Sequence, residues 1–209
     1  MSDALFQISL GILLGHASIQ KNSSSRQEKW GLKILQGVKH RAYVEHLHEK
    51  FADYVRAAPA LHRERVCLSF STLFHTDFNP LAPIFVHPQG KNHVGVHFSE
   101  NSISPVTLAY WFMDDGGALS YNKEHPPRGL VLNTHFFPRD ECEILLVNLN
   151  STYNFGCWCK KNKGRHIVAF PGKSWNDIWQ VISPHVLESM RYKFPRLGGS
   201  AIRGGALES

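Results

Sequence analysis

Residues 108–117 read LAYWFMDDGG: an uncharged apolar run, then two adjacent carboxylates, Asp114 and Asp115, then the glycines Gly116 and Gly117. Such a run packs as a helix buried on most sides, and a glycine pair has the backbone freedom to end it abruptly. The carboxylates are thereby placed at a helix C-terminus, where unpaired carbonyls already carry partial negative charge. Two further negative charges are unfavourable there until a cation neutralises them, and carboxylate oxygens suit a hard divalent metal.

The stretch has a counterpart upstream. Residues 5–15, LFQISLGILLG, form another short apolar helix, followed by a polar strand and turn over 20–29 and an alternating half-buried strand over 30–36. Tyr43, Leu47, Phe51 and Tyr54 recur at helical steps and predict a helix over 39–55 that Pro59 stops. Residues 65–73 are β-like, Phe78, Leu81, Ile84 and Phe85 mark a further helix, and 86–95 reads as a loop. The order then returns after residue 117. Strands are expected over 118–121 and 129–135, a helix over 139–149, and a hairpin of 155–159 with 166–170 over the basic tip KKNKGR, residues 160–165. A last helix carries Trp175, Ile178, Trp179 and Ile182. The expected fold is α+β, a mixed α/β arrangement of two pseudo-symmetric αββαββα repeats, at 1–95 and 96–197, with an aperiodic tail at 198–209. Superposing the two apolar helices aligns His16 with Asp115, Gly15 with Asp114 and Ala17 with Gly116.

The 209 residues suffice for a substantial core. No apolar stretch approaches the roughly 20 residues of a bilayer span, and no signal-type N-terminus is present, so no membrane partner is expected. A formal net charge of +6 and thirteen histidines suit a polyanionic partner. Cys67, Cys142, Cys157 and Cys159 form neither a CxxC pair nor a disulfide framework and read as free thiols.

LAYWFMDDGG, followed by YNK (121–123) and VLNT (131–134), preceded by GILLGHASI (11–19) and closed by MRYKFP (190–195), resembles the LAGLIDADG homing endonucleases. The likeness is to the single-chain, two-repeat branch that includes the yeast mitochondrial omega-intron endonuclease, and it runs from about residue 8 to 195. The resemblance implies central paired motif helices and two antiparallel sheets forming a saddle over DNA. It also implies cleavage of both strands of a long asymmetric site by metal ions held at the last acidic residue of each motif. That role falls on Asp115, with His16 at the matching position and Gly15 and Asp114 beside them. Lys193 matches one of the family's basic catalytic positions, and Lys91 is the nearest match to the other. Each half then carries one motif and one lysine, 75 and 78 positions apart.

The chemistry agrees. Phosphodiester hydrolysis needs a nucleophilic water, charge stabilisation at phosphorus and help for the departing oxygen, which divalent cations supply. A lysine stabilises developing charge without ligating metal. Alternating strands put every second side chain onto a groove. The candidates for DNA contact are Gln20, Lys21, Arg26, Lys29, Lys33, Asn122, Lys123, Arg128, Lys160, Lys161, Lys163 and Arg165.

His16 stands where the family has an acidic residue. Imidazole ligates transition metals, serves magnesium poorly, and removes one negative charge. The expected cofactor is Mg2+, with Mn2+ as the alternative. The expected partner is double-stranded DNA, with host intron RNA as the alternative. By resemblance the chain is an intron-encoded, organellar monomer, mitochondrial or chloroplast. Site-specific double-strand cleavage, nicking of one strand, DNA binding without cleavage and service as an intron RNA maturase all remain open.

Overall fold

The computed structural model describes residues 1–62, 64, 66–86, 98, 103–119 and 127–194. Lys91, Asn122, Lys123, the boundary between residues 95 and 96, and the tail at 198–209 lie outside the described residues.

The first half runs α1 (Asp3–Leu14), β1 (Ser18–Lys21), β2 (Trp30–Gly37), α2 (Arg41–Lys50), β3 (Ala60–His62), β4 (Cys67–Ser71) and the single turn α3 (Ala82–Phe85). The second runs α4 (Pro105–Asp115), β5 (Gly116–Leu119), β6 (Gly129–Leu132), α5 (Arg139–Tyr153), β7 (Trp158–Asn162), β8 (Arg165–Pro171) and α6 (Trp175–Ile182). A 3₁₀ segment, Glu188–Lys193, returns the chain to the centre. Each half builds one antiparallel four-stranded sheet, in the order β1-β2-β4-β3 and β5-β6-β8-β7. The α+β expectation and its paired sheets are therefore met. Among the described residues no helix is long and apolar enough to cross a membrane.

Both central helices begin on serine caps. The Ser2 side chain accepts from the Leu5 N–H, and Ser104 accepts from Thr107, with Pro105 in the first turn where its missing donor costs nothing. The helices pack on each other with the Thr107 hydroxyl 3.0 Å from the Gln7 carbonyl oxygen. At Gly11 a Cβ would lie 2.6 Å from the Thr107 carbonyl oxygen, so the absence of a side chain sets how closely the backbones approach. Leu10, Ile12, Leu14, Leu108, Trp111 and Phe112 are almost wholly buried in one core shared by both halves.

The strand register divides each sheet into two faces. Ile19, Leu32, Ile34, Leu68 and Phe70 of the first sheet, and Leu130, Leu132, Val168 and Phe170 of the second, join the helix-covered core. The opposite faces carry Ser18, Gln20, Lys33, Ser69 and Ser71 in the first sheet. In the second they carry Trp158, Lys160, Asn162 and Arg165 over a small apolar cluster of Leu119, Val131, Ile167 and Ala169.

Several boundaries differ from the sequence expectation. β5 starts at Gly116, not at 118, and Gly116 is ordinary extended backbone (φ −70°, ψ 152°). Glycine is needed for space: a Cβ there would collide with the Phe112 carbonyl and ring. The basic tip shrinks to Lys163 and Gly164, whose φ values of 50° and 81° suit a two-residue type I′ turn, while residues 160–162 and 165 are strand. The helix expected over 39–55 is α-helical only over Arg41–Lys50, with 3₁₀ turns on either side. α5 continues to Tyr153 and is closed by Asn154 in the left-handed region.

Candidate active site at the paired helix ends

α1 and α4 deliver their C-terminal ends side by side. Asp115 is the last residue of α4; His16 lies just beyond α1, in the connection to β1. Their side chains meet, His16 Nδ1 standing 3.1 Å from Asp115 Oδ1. The His16 side chain is 47% exposed and that of Asp115 9%. The open end of the site is therefore the histidine's.

Asp114 faces inward. Its Oδ1 accepts from Gln36 Nε2 at 2.9 Å and its Oδ2 from the His16 backbone N–H at 3.2 Å. The Asp114 side chain fills the space that a side chain at Gly15 would need: a Cβ on Gly15 would lie 2.9 Å from Asp114 Cγ and nearer still to Cβ and Oδ2. Lys193 Nζ donates to the Asp114 carbonyl, and Asn133 caps the Asp115 carbonyl through its side-chain amide (2.9 Å) and backbone N–H (3.1 Å). Both donors answer orphan carbonyls of the helix end.

Burial is the main force on the acid–base properties here. It pushes Asp114 up to about 6, against the pull of the nearby His16, and pushes Asp115 up to about 7, against the pull of Lys193. Burial likewise lowers Lys193, whose charge is favoured by Asp114 and Asp115. His40 is driven down to about 4, by burial first and then by Lys193, Lys39 and His16. His40 stacks on Tyr192 at 5.9 Å between ring centroids, tying the segment that carries Lys193 to the first half of the chain. A cleft bordered by His16, Gln36, Lys39, His40, Asp114 and Lys193 opens beside the pair.

Among the described residues no three His, Cys, Asp or Glu side chains converge as a ready-made metal cage. The donor set nevertheless fits one cation. Neighbouring donors on an octahedral ion with bonds of about 2.1 Å stand about 3.0 Å apart, and His16 Nδ1 and Asp115 Oδ1 are 3.1 Å apart. His16, the more exposed of the two, also borders the cleft. When bound, a divalent cation would polarise a phosphoryl oxygen and activate water.

The basic candidates fall into distinct places. Gln20 and Lys33 lie on the open face of the first sheet, and Lys160 and Arg165 on that of the second. Lys161 alternates to the helix side, as does Lys21, whose ammonium pairs with Glu28 at 3.2 Å. Arg26 and Lys29 belong to the β1–β2 connection, Arg128 immediately precedes β6, and Lys163 sits at the hairpin turn. Gln36, His40, Asn133 and Tyr192 are site neighbours that the sequence reading did not single out. Gln36 did carry a signal, because it continues the inward series Trp30, Leu32, Ile34 with a polar side chain.

Comparisons with known proteins converge on one group. The chain matches the LAGLIDADG DNA endonuclease family over residues 6–178. It is 31% identical over 195 residues to a Wickerhamomyces canadensis protein named "Probable intron-encoded endonuclease 1", covering 88% of this chain and 80% of that protein. The cytochrome b mRNA maturase bI2 of Debaryomyces hansenii is 26% identical over 201 residues, covering 90% of this chain and 72% of the maturase. The solved structure of the homing endonuclease I-WcaI bound to its DNA recognition sequence superposes with a TM-score of 0.81 at 30% identity, over 92% of this chain and 86% of that one.

Proposed function

Because this chain belongs to the LAGLIDADG DNA endonuclease family, we propose that it is an intron-encoded homing endonuclease whose cleavage of a long, asymmetric duplex site depends on Asp115. The relatives named as intron-encoded endonucleases and as cytochrome b maturases support an organellar setting, which we take to be mitochondrial, and the two-repeat chain supports action as a monomer. The halves 1–95 and 96–197 would each engage one half-site. The observation that carries the reading is the placement of Asp115, a buried carboxylate at the end of α4 with an imidazole on one side and Lys193 close by.

In this reading Asp115 and His16 hold a divalent ion, magnesium or manganese. Asp114 anchors the His16 backbone, and Lys193 stabilises charge developing on the phosphate. Lys91 is the proposed counterpart of Lys193. Gln20, Lys33, Lys160 and Arg165 face the groove; Lys21, Arg26, Lys29, Asn122, Lys123, Arg128, Lys161 and Lys163 are the proposed further contacts, chiefly with phosphates.

The test is a supercoiled plasmid carrying the intron-insertion sequence of the chain's own gene, incubated with magnesium and then manganese. Nicked or linear product is expected, and none from Asp115→Asn. Intact plasmid in both metals, with salt-sensitive site binding retained, would leave a DNA-binding protein and overturn the nuclease. The similarity to the D. hansenii maturase supports a second reading, assistance to folding of the host intron RNA. It requires tighter binding to that RNA than to the duplex.

A further inference from the structure

We propose that His16 and Asp115 form a mixed nitrogen–oxygen metal site that selects a first-row transition ion such as manganese(II) or cobalt(II) over magnesium. The inference deepens the nuclease reading by naming the metal class, and it rests on that reading only for the use to which the metal is put.

Three observations converge on the pair. His16 Nδ1 and Asp115 Oδ1 stand 3.1 Å apart, the spacing of neighbouring donors on one ion. Asp114, the other carboxylate at this helix end, is committed at both oxygens, to Gln36 and to the His16 N–H, and lies 2% exposed. It borders the cleft but is held as a support for the His16 backbone, which leaves Asp115 as the carboxylate that meets the imidazole. Finally, the Lys193 ammonium already sits on the Asp114 carbonyl, and Lys39 borders the same cleft. The net negative charge available to a cation is therefore small.

That charge balance decides between metals. Magnesium is held by hard, anionic oxygen and by little else. With one free carboxylate against a neighbouring ammonium, its affinity is poor. Manganese and cobalt gain from an imidazole nitrogen, and affinity for such a donor set rises along the first row from manganese towards copper. The exposed side of the His16 ring leaves coordination positions for water or a phosphate oxygen.

The experiment is manganese(II) chloride titrated into the full chain at pH 8, followed by electron paramagnetic resonance. Pulsed measurements on the bound ion read directly coordinated nitrogen. One bound manganese with a nitrogen coupling is expected, lost in His16→Ala and in His16→Asp, and competed by magnesium only at about a tenfold or greater excess. His16→Asp should bring the two affinities within about threefold, because an oxygen donor and a charge are restored. Manganese bound without a nitrogen coupling, no bound manganese at millimolar ion, or magnesium competing at parity would each overturn the inference. Asp115-dependent plasmid cleavage in magnesium with no nitrogen coupling would do so while leaving the nuclease reading intact. A coupling without cleavage in any metal would retain the site and reject the nuclease.

Discussion

At the end of α1 three residues, Gly15, His16 and Ala17, intervene before β1; at the end of α4 none intervene, and Asp115 passes straight into β5. The two positions align in sequence and touch in space, yet one is an exposed imidazole on a short connection and the other a buried carboxylate inside a helix. Gly15 and Asp114 are unequal in the complementary sense, because the room left by one is filled by the side chain of the other. Pseudo-symmetry in this molecule therefore holds for the order of helices and strands and fails at the paired helix ends, in chain connection as well as in chemistry. The two halves have specialised, one to hold charge and one to accommodate it.

The comparison is broken most severely by Asp115→Asn. Removing this carboxylate forfeits several kcal/mol of charge stabilisation, a loss on the order of 10³-fold in cleavage rate. Site binding measured by gel shift should survive. His16→Asp acts in the opposite direction by making the two ends alike. The fraction of plasmid converted from nicked to linear in magnesium should rise by about 10²-fold, the order of effect of one well-placed group. An unchanged nicked-to-linear ratio would show that the inequality of the ends does not limit the second cut.

Gly15→Ala tests the interlock without touching a donor. The added methyl must displace the Asp114 side chain, and overpacking of this kind costs about 1–3 kcal/mol, seen as a lower denaturation midpoint at unchanged slope. Acidity separates the ends further. Asp115, raised to about 7, stabilises the folded protein at low pH, and that contribution is lost as pH rises from its unfolded value through 7. The melting temperature of the metal-free protein minus that of Asp115→Asn should therefore fall between pH 5 and 8. Cleavage should rise over the same interval, by about tenfold per pH unit below 7, because metal and proton compete for one carboxylate. The smallest effect concerns neighbouring lysines. Lys160→Ala, on the open face, should lower the salt slope of DNA binding by about 0.9, one phosphate contact. Lys161→Ala, on the helix side of the same strand, should change it less.

Much of this was legible in the chain, for reasons that differ from residue to residue. The apolar run at 108–113 can only be a buried helix, and its end fixed Asp115; the upstream counterpart fixed His16. β3 escaped notice because Ala60, Leu61 and His62 are all exposed and show no alternation. The pair Gly116 and Gly117 suggests a break before β5, whereas Gly116 is already strand and its missing Cβ leaves room for Phe112. A lysine-rich tip reads as a loop because β7 has no buried residue, Lys160 being half-buried and Lys161 exposed. Gln36, His40 and Tyr192 reach the site from distant positions, and such contacts leave little trace in local pattern.

The direct junction of α4 with β5 has a mechanical consequence. With no slack between the last helical residue and the first strand residue, β5 and the Asp115 carboxylate move as one lever. A duplex that seats the second sheet about 1 Å out of place carries the carboxylate with it, a displacement worth on the order of 10² in rate. The same duplex would pull less directly on His16, which three residues of backbone separate from β1. In the proposed mechanism, fidelity is then exercised at the moment of cutting rather than at the moment of binding, with one half of the molecule as its gauge.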